Sequence, residues 1–187
     1  MNRKSQNMRF WLVETFLGPL REILESRFII QQLVKVELNG RYRRTFLGYT
    51  WTLLNPLFSM SVLAVVFSTL FGIPFKEFAL FLFSGMVPWL MFSNTINKSL
   101  PVFVEQEALI KMVHICKSVF PVASAVSSFI DSIFSFFALL LLIFIFGGKF
   151  SIALLCIPLA FLLLFVFCLG IGFITSILST TFRDLTQ

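Results

Sequence analysis

The sequence predicts an all-α integral membrane protein. Of its 187 residues, 58% are apolar and 13% are charged, and the mean hydropathy is +0.93. Soluble domains have roughly 45–50% apolar and about 25% charged residues. The chain also holds four largely apolar segments, each of about the 20 residues that a helix needs to cross a bilayer. This composition argues against a water-soluble enzyme.

A basic region precedes the spans, so the sequence predicts two parts, residues 1–50 and 51–187. In the first part apolar side chains recur at helical spacing, for example at Ile29, Leu33 and Val36, with polar residues between them. Basic amphipathic helices of this kind typically lie in the membrane interface. The alternative is a solvated helix that packs on another protein.

Turn residues and charges separate the predicted spans. The stretch 72–74 (Gly-Ile-Pro) ends the first span, and 147–149 (Gly-Gly-Lys) ends the third. Pro56 lies one turn inside the first span and is expected to kink it, because proline removes a backbone hydrogen bond. The four spans are predicted at 51–71, 78–96, 122–146 and 152–178.

The segment 97–121 is too polar for the lipid core, and we predict a cytoplasmic loop there with a single helix, 104–120. Thirteen of the fifteen Lys and Arg residues fall in the N-terminal region, this loop or the C-terminal tail, whereas Lys76 and Lys149 fall on the opposite side. Because Lys and Arg gather on the cytoplasmic side of membranes, we expect a cytoplasmic N-terminus. The net positive charge then reflects membrane topology, and no nucleic-acid partner is expected.

Sequence motifs for catalysis are incomplete. The stretch 147–149 resembles the end of a phosphate-binding loop, but position 143 is Ile where that motif requires Gly. His114 and Cys116 lack the further ligands of a zinc site. We therefore expect that this chain itself binds no metal, cofactor or nucleotide.

Asp131 is the charged residue inside a predicted span. Ser124, Ser128 and Ser135 lie on the same face of that helix, at spacings of three or four residues. An acid within the membrane usually faces a bundle interior or an aqueous path. If the lipid core begins a few residues later, Asp131 is instead hydrated at the cytoplasmic interface. The sequence leaves both possibilities open.

Residues 41–56 resemble the start of the first span in bacterial ABC-2 type permeases, in particular those that export lipid-linked polysaccharides such as O-antigen, capsule and teichoic acid. Further matches, in the same order as in that family, lie at 65–67, 83–85, 109–111 and 182–185. The matching residues in the first motif are Arg41, Tyr42, Arg43, Leu47, Gly48, Trp51, Asn55 and Pro56.

The resemblance implies a permease subunit that dimerises and binds two separately encoded ATPase subunits, which would use the ATP and Mg²⁺. By position in the family, residues 28–48 and 99–120 would contact those ATPases. The charged candidates for this contact are Glu105, Glu107, Lys111, His114 and Lys117.

The resemblance also implies that the substrate is a lipid-linked polysaccharide, moved across the bacterial inner membrane. Guanidinium groups can bind its phosphates through paired hydrogen bonds, and aromatic rings can stack on its sugars. For the arginines and Trp51 the alternative is membrane anchoring. The candidates for the substrate path are Arg41, Tyr42, Arg43, Arg44, Tyr49, Trp51 and Asp131.

The family usually has six spans, two more than the sequence predicts here. We therefore expect a fragment, a frameshifted product or a natural short form. Other functions that stay open are an ABC-2 permease for a drug or lipid, a non-functional truncated permease, a membrane enzyme of envelope synthesis, and a channel or secondary carrier.

Overall fold

The long helices of the chain confirm the predicted fold class. The computed structural model describes residues 22–42, 48–112, 116–147 and 156–182. Four helices in these ranges are long and apolar enough to cross a membrane, and no strand occurs in them. These helices are α2 (Trp51–Phe71), α3 (Phe75–Ser99), α6 (Val119–Ile145) and α7 (Ile157–Thr181). The shorter helices are α1 (Arg27–Tyr42), α4 (Val102–Glu105) and α5 (Glu107–Met112).

The turn between α2 and α3 follows directly from its sequence. Gly72 adopts a left-handed conformation with φ of 65°, and its N–H donates to the carbonyl of Ser68, which closes the last turn of α2. Glycine takes this conformation without a steric penalty. Pro74 follows immediately before α3. Because the connection is this short, α2 and α3 must run antiparallel to each other.

The segment between the second and third spans corrects the sequence prediction. A single helix over 104–120 is wrong, because α4 and α5 are separate short helices and α6 already begins at Val119. Pro121, the last residue of the predicted loop, lies in the first turn of α6, where proline is tolerated because a backbone N–H would have no partner within the helix. The loop therefore lies between Ser99 and Val119, shorter than the predicted 97–121.

Helix α2 has the bounds predicted for the first span, 51–71, whereas the second, third and fourth spans differ from their predicted bounds. The second span extends at both ends, so that Asn97 and Lys98 are helical residues of α3 and not part of the loop. The fourth helix begins at Ile157, and the predicted start of that span at 152 lies outside the described residues.

Contacts between side chains give the direction of each helix. The ring of Phe75, the first residue of α3, lies 6.1 Å from the ring of Phe146, just after α6. At the other end of α3, Lys98 reaches Asp131 in α6. The helices α3 and α6 are therefore antiparallel. We call the end where α3 finishes, with α1, α4 and α5, the loop end, and the opposite end the turn end.

Two clusters of buried apolar side chains hold these elements together. Met60, Phe83 and Leu139 pack together and join α2, α3 and α6. Val34 and Leu38 of α1 pack against α6 at the loop end. Outside these clusters the large apolar side chains of the spans mostly face outward, as the lipid-facing side of a membrane protein requires.

Candidate functional site

A group of charged and polar side chains meets between α1, α3 and α6. The Nζ atom of Lys98 lies 3.1 Å from Oδ2 of Asp131 and 3.1 Å from Oε1 of Glu37. It also donates a 2.8 Å hydrogen bond to Oγ of Ser127, whose hydroxyl lies 2.7 Å from the same oxygen of Glu37. An ammonium group has three donors, and three oxygens surround this one. We call Glu37, Lys98, Ser127 and Asp131 the charge cluster.

The antiparallel arrangement of α3 and α6 explains why Lys98 and Asp131 meet. Side chains on a helix lean toward its N-terminus. Lys98, near the end of α3, therefore leans back along the bundle, toward the turn end. Asp131 lies in the middle of α6 and leans toward the loop end. The two side chains approach each other although their positions along the bundle differ.

Burial of the charge cluster is uneven. The side chains of Lys98 and Asp131 are 11% and 9% exposed, whereas that of Glu37 is 29% exposed. A buried charge is costly unless an opposite charge and hydrogen bonds compensate it. Lys98 supplies this compensation for Asp131. A cleft of about 350 Å³ borders Glu37 and Lys98, so the α1 side of the cluster is the side nearest to water.

The serines that share the face of Asp131 are buried inside the bundle, together with Ser127 and Ser132. Several of them donate to carbonyls of their own helix, as Ser132 does to Ser128 and Ser135 to Asp131. Such bonds satisfy a hydroxyl without any ligand. Asp131 thus faces the interior of the bundle. Its depth in the membrane and its place in a substrate path stay predictions.

The other predicted substrate-path residues are not part of the charge cluster as described. Trp51 is the half-buried first residue of α2. Arg43 and Arg44 lie outside the described residues, as do the side chains of Arg41, Tyr42 and Tyr49.

Three of the predicted ATPase contacts share one groove at the loop end. Glu107, Lys111 and Lys117 line a groove of about 510 Å³ together with Phe103 and with Phe173 from α7. Oε1 of Glu107 lies 2.6 Å from Nζ of Lys111, and both side chains are largely exposed. The groove thus combines exposed charged side chains with apolar ones, a composition suited to protein contact.

The remaining two candidates do not lie in this groove as described. Glu105 lines the smaller cleft, beside Glu37 and Lys98. His114 lies outside the described residues. Of the candidates that the sequence placed on one helix, 104–120, three therefore line the groove and Glu105 lines the cleft.

Sequence reasoning missed Lys98 and Glu37. Lys98 was assigned to the loop and Glu37 to the polar face of an amphipathic helix. A signal was present, because an acid within a span requires a compensating partner. Lys98 lies at the end of the second span, on the same side of the membrane as the start of the third.

The fold and this site define a multispanning helical membrane protein whose charged elements gather at one end of the bundle. No family model matches the chain. It is 29% identical over 166 residues to the O-antigen export system permease protein RfbA of Myxococcus xanthus, covering 89% of this chain and 64% of that protein. It is 27% identical over 152 residues to RfbA of Klebsiella pneumoniae, covering 81% of this chain and 59% of the relative.

A third relative is the polysialic acid transport protein KpsM of Escherichia coli, 24% identical over 165 residues, with 87% of this chain and 64% of that protein covered. The chain thus spans about three fifths of the length of these relatives. The comparisons confirm the resemblance to ABC-2 type polysaccharide export permeases.

Proposed function

We propose that this chain is the membrane permease subunit of an ATP-driven exporter of lipid-linked polysaccharide. The observation that carries the proposal is the similarity to export permeases for O-antigen and polysialic acid over 81–89% of the chain. The four membrane-capable helices support it. Energy for export comes from a separate ATPase subunit, and the lipid-linked glycan is the substrate.

The proposed orientation places the loop end in the cytoplasm and the turn end outside a bacterial inner membrane. In support, Lys98, Lys111 and Lys117 lie at or beside the loop end, and α1 adds Arg27 and Lys35. Positive side chains concentrate on the cytoplasmic side. Cysteines introduced at position 76 should react with an impermeant reagent in intact cells, and those at position 111 should not. The reverse pattern would overturn the orientation.

The proposed ATPase contact is the groove at the loop end lined by Glu107, Lys111 and Lys117. Its mixture of charged and apolar side chains suits a protein partner, and residues of both α5 and α7 line it. Force applied to this groove would act on the fourth span directly, because Phe173 belongs to α7.

The proposed active form is a homodimer with the substrate path between two copies. Support comes from the packing inside one copy, where Met60, Phe83 and Leu139 fill the space between α2, α3 and α6. A polysaccharide is too wide for such an interior. A path between copies would also leave the outward apolar side chains in contact with lipid or with the second copy.

The test is co-expression with an ABC ATPase of the polysaccharide-export type, in a strain that lacks its own export permease. We expect the ATPase to co-purify with this chain, and Lys111→Glu to weaken that association. The matched control is Lys76→Glu, a charge reversal at the turn end, which should leave it unchanged. Surface glycan is the second readout.

Two outcomes would contradict the proposal. One is that the wild-type chain retains no ATPase. The other is that a bound ATPase is stimulated by a drug or a simple lipid and not by a lipid-linked glycan, which would favour a different ABC-2 substrate.

A further inference from the structure

The charge cluster joins three elements that are separate in the sequence. Glu37 belongs to α1, Lys98 to α3, and Ser127 and Asp131 to α6. Between α1 and the spans, Val34 and Leu38 pack on Ala123, and partly buried apolar side chains of both helices surround this contact. Apolar contacts of this kind lack direction and permit one helix to slide over another. Ion pairs and hydrogen bonds at 2.7–3.1 Å prevent such sliding, because they require particular atoms to meet.

We propose that Lys98 is a positioning residue that couples α1 to α3 and α6, so that displacement of α1 is passed on to the spans. This inference rests on the proposed function, a permease driven by a separate ATPase, and on the expectation from the family resemblance that residues 28–48 also contact that ATPase. The charge cluster is then the connection between that region and the membrane helices.

The two carboxylates have different parts in this coupling. Asp131 is 9% exposed and held at 3.1 Å from Lys98, so breaking that pair would leave a charge buried between two spans. Glu37 is 29% exposed and borders a cleft of about 350 Å³. Water can replace Lys98 around Glu37 far more easily than around Asp131. The coupling therefore has a permanent half, Lys98–Asp131, and a releasable half, Glu37–Lys98.

Ser127 reinforces the releasable half. Its hydroxyl accepts from Lys98 and lies 2.7 Å from Glu37, so α1 meets α6 as well as α3 through polar contacts. Release of Glu37 would break these polar contacts of α1 with both spans in one step. The spans would stay joined by Lys98 and Asp131.

The test measures distances between spin labels in the 187-residue chain, without any ATPase present. Cys116, Cys156 and Cys168 are first replaced, and labels are attached at the exposed positions 35 in α1 and 137 in α6. A second pair at 81 in α3 and 137 reports on the spans alone. Both pairs are compared between wild type, Glu37→Met and the control Lys111→Met, which removes an exposed ion pair elsewhere.

We expect Glu37→Met to broaden the 35–137 distance distribution and leave the 81–137 distribution narrow. Lys111→Met should change neither. If Glu37→Met does not yield folded protein, Glu37→Gln serves, since the amide keeps the volume and loses the charge. An unchanged 35–137 distribution would overturn the proposal. So would equal broadening of both distributions, because Glu37 would then merely support the fold.

Export assays separate this inference from the proposed function. With a bound ATPase, Glu37→Met should retain the ATPase and lose glycan export. If the wild-type chain retains no ATPase, the proposed function fails while the distance measurements still decide whether α1 is coupled to the spans. Full export by Glu37→Met would overturn the coupling alone.

Discussion

The third and fourth spans are similar in length and apolar character, yet they occupy opposite kinds of position. Fourteen of the 27 residues of α6 are buried, compared with four of the 25 residues of α7. In α6 the buried face includes Asp131 and a series of serines and alanines. In α7 a narrow strip of Cys168, Gly172, Ser176 and Ser179 is buried, and the large apolar side chains face outward.

The comparison shows that hydrophobicity does not tell which span lies at the centre of a bundle. Lipid and protein interior are both apolar, so large apolar side chains gain little from turning inward. Small and polar side chains do gain, because they permit close approach and find hydrogen-bond partners there. The width of the small and polar face therefore indicates how many neighbours a span has, and α6 contacts α1, α2, α3 and α7.

The largest expected effect on stability comes from the partner of the acid on α6. Lys98→Met removes the compensating charge of Asp131 and should lower the free energy of unfolding by about 3 kcal/mol. Titration with SDS from a mild detergent measures this quantity. The double variant Lys98→Met, Asp131→Leu should recover most of the loss, because no unpaired charge remains between the spans. Equal stability of Lys98→Met and wild type would show that the acid on α6 does not depend on Lys98.

Two glycines of α7 offer a sharper test, because Gly172 lies in the buried strip and Gly170 lies on the exposed side of the helix. A Cβ atom at Gly172 would lie 2.9 Å from Oγ of Ser99, whereas one at Gly170 would have nothing within 4 Å. Gly172→Val should therefore cost about 2 kcal/mol in the same titration, as overpacking does. Gly170→Val is the matched control and should cost clearly less. Equal costs would mean that helix propensity, and not the contact with α3, dominates.

Two neighbouring serines on α6 allow a comparison between a hydroxyl that is hydrogen-bonded to other helices and a buried hydroxyl that has no partner among the described residues. Ser127 bonds to Lys98 and Glu37, so Ser127→Ala should cost about 1.5 kcal/mol. The hydroxyl of Ser128 has no hydrogen-bond partner among the described residues, so Ser128→Ala should be close to neutral. Comparing the unfolding free energies of the two variants is the measurement. A larger loss for Ser128→Ala would contradict the assigned contacts.

The smallest effect on the free energy of unfolding is expected from an ion pair outside the spans. The Glu107–Lys111 pair is separated by four residues on α5, and its side chains are 55% and 72% exposed. Such pairs contribute about 0.5 kcal/mol or less, so Lys111→Met should hardly change the free energy of unfolding. Its expected consequence is weaker ATPase association. A stability loss comparable to that of Lys98→Met would assign Lys111 to the fold.

Much of the fold could be predicted because local chemistry decides it. Each of the four long apolar segments forms a helix, since backbone groups in lipid must bond within their own segment. Gly72 and Pro74 end one span and begin the next for conformational reasons that involve no distant residue. The family resemblance likewise depended on residue order alone.

The candidate site was predicted in part, and the missing part is non-local. The buried serine face of Asp131 follows from helical spacing, but its ionic partner is 33 residues away in the sequence. Lys98 can reach Asp131 because the second span extends past Ile96 to Ser99, beyond the bounds that hydrophobicity predicts. Tertiary packing also interrupts the helix expected at 104–120. Val119 and Phe120 are buried in the bundle as the first residues of α6, so they belong to the third span.

The sequence by itself determined the helical membrane class, the turn between the first two spans and the family resemblance, since composition, helical periodicity and local motifs carry that information. The tertiary structure alone decided that α6 is central and α7 peripheral, and that Glu37, Lys98 and Asp131 meet. The physical reason is that ion pairing and close packing depend on distances between segments. Periodicity along one helix specifies which face is buried, but it does not specify what lies opposite that face.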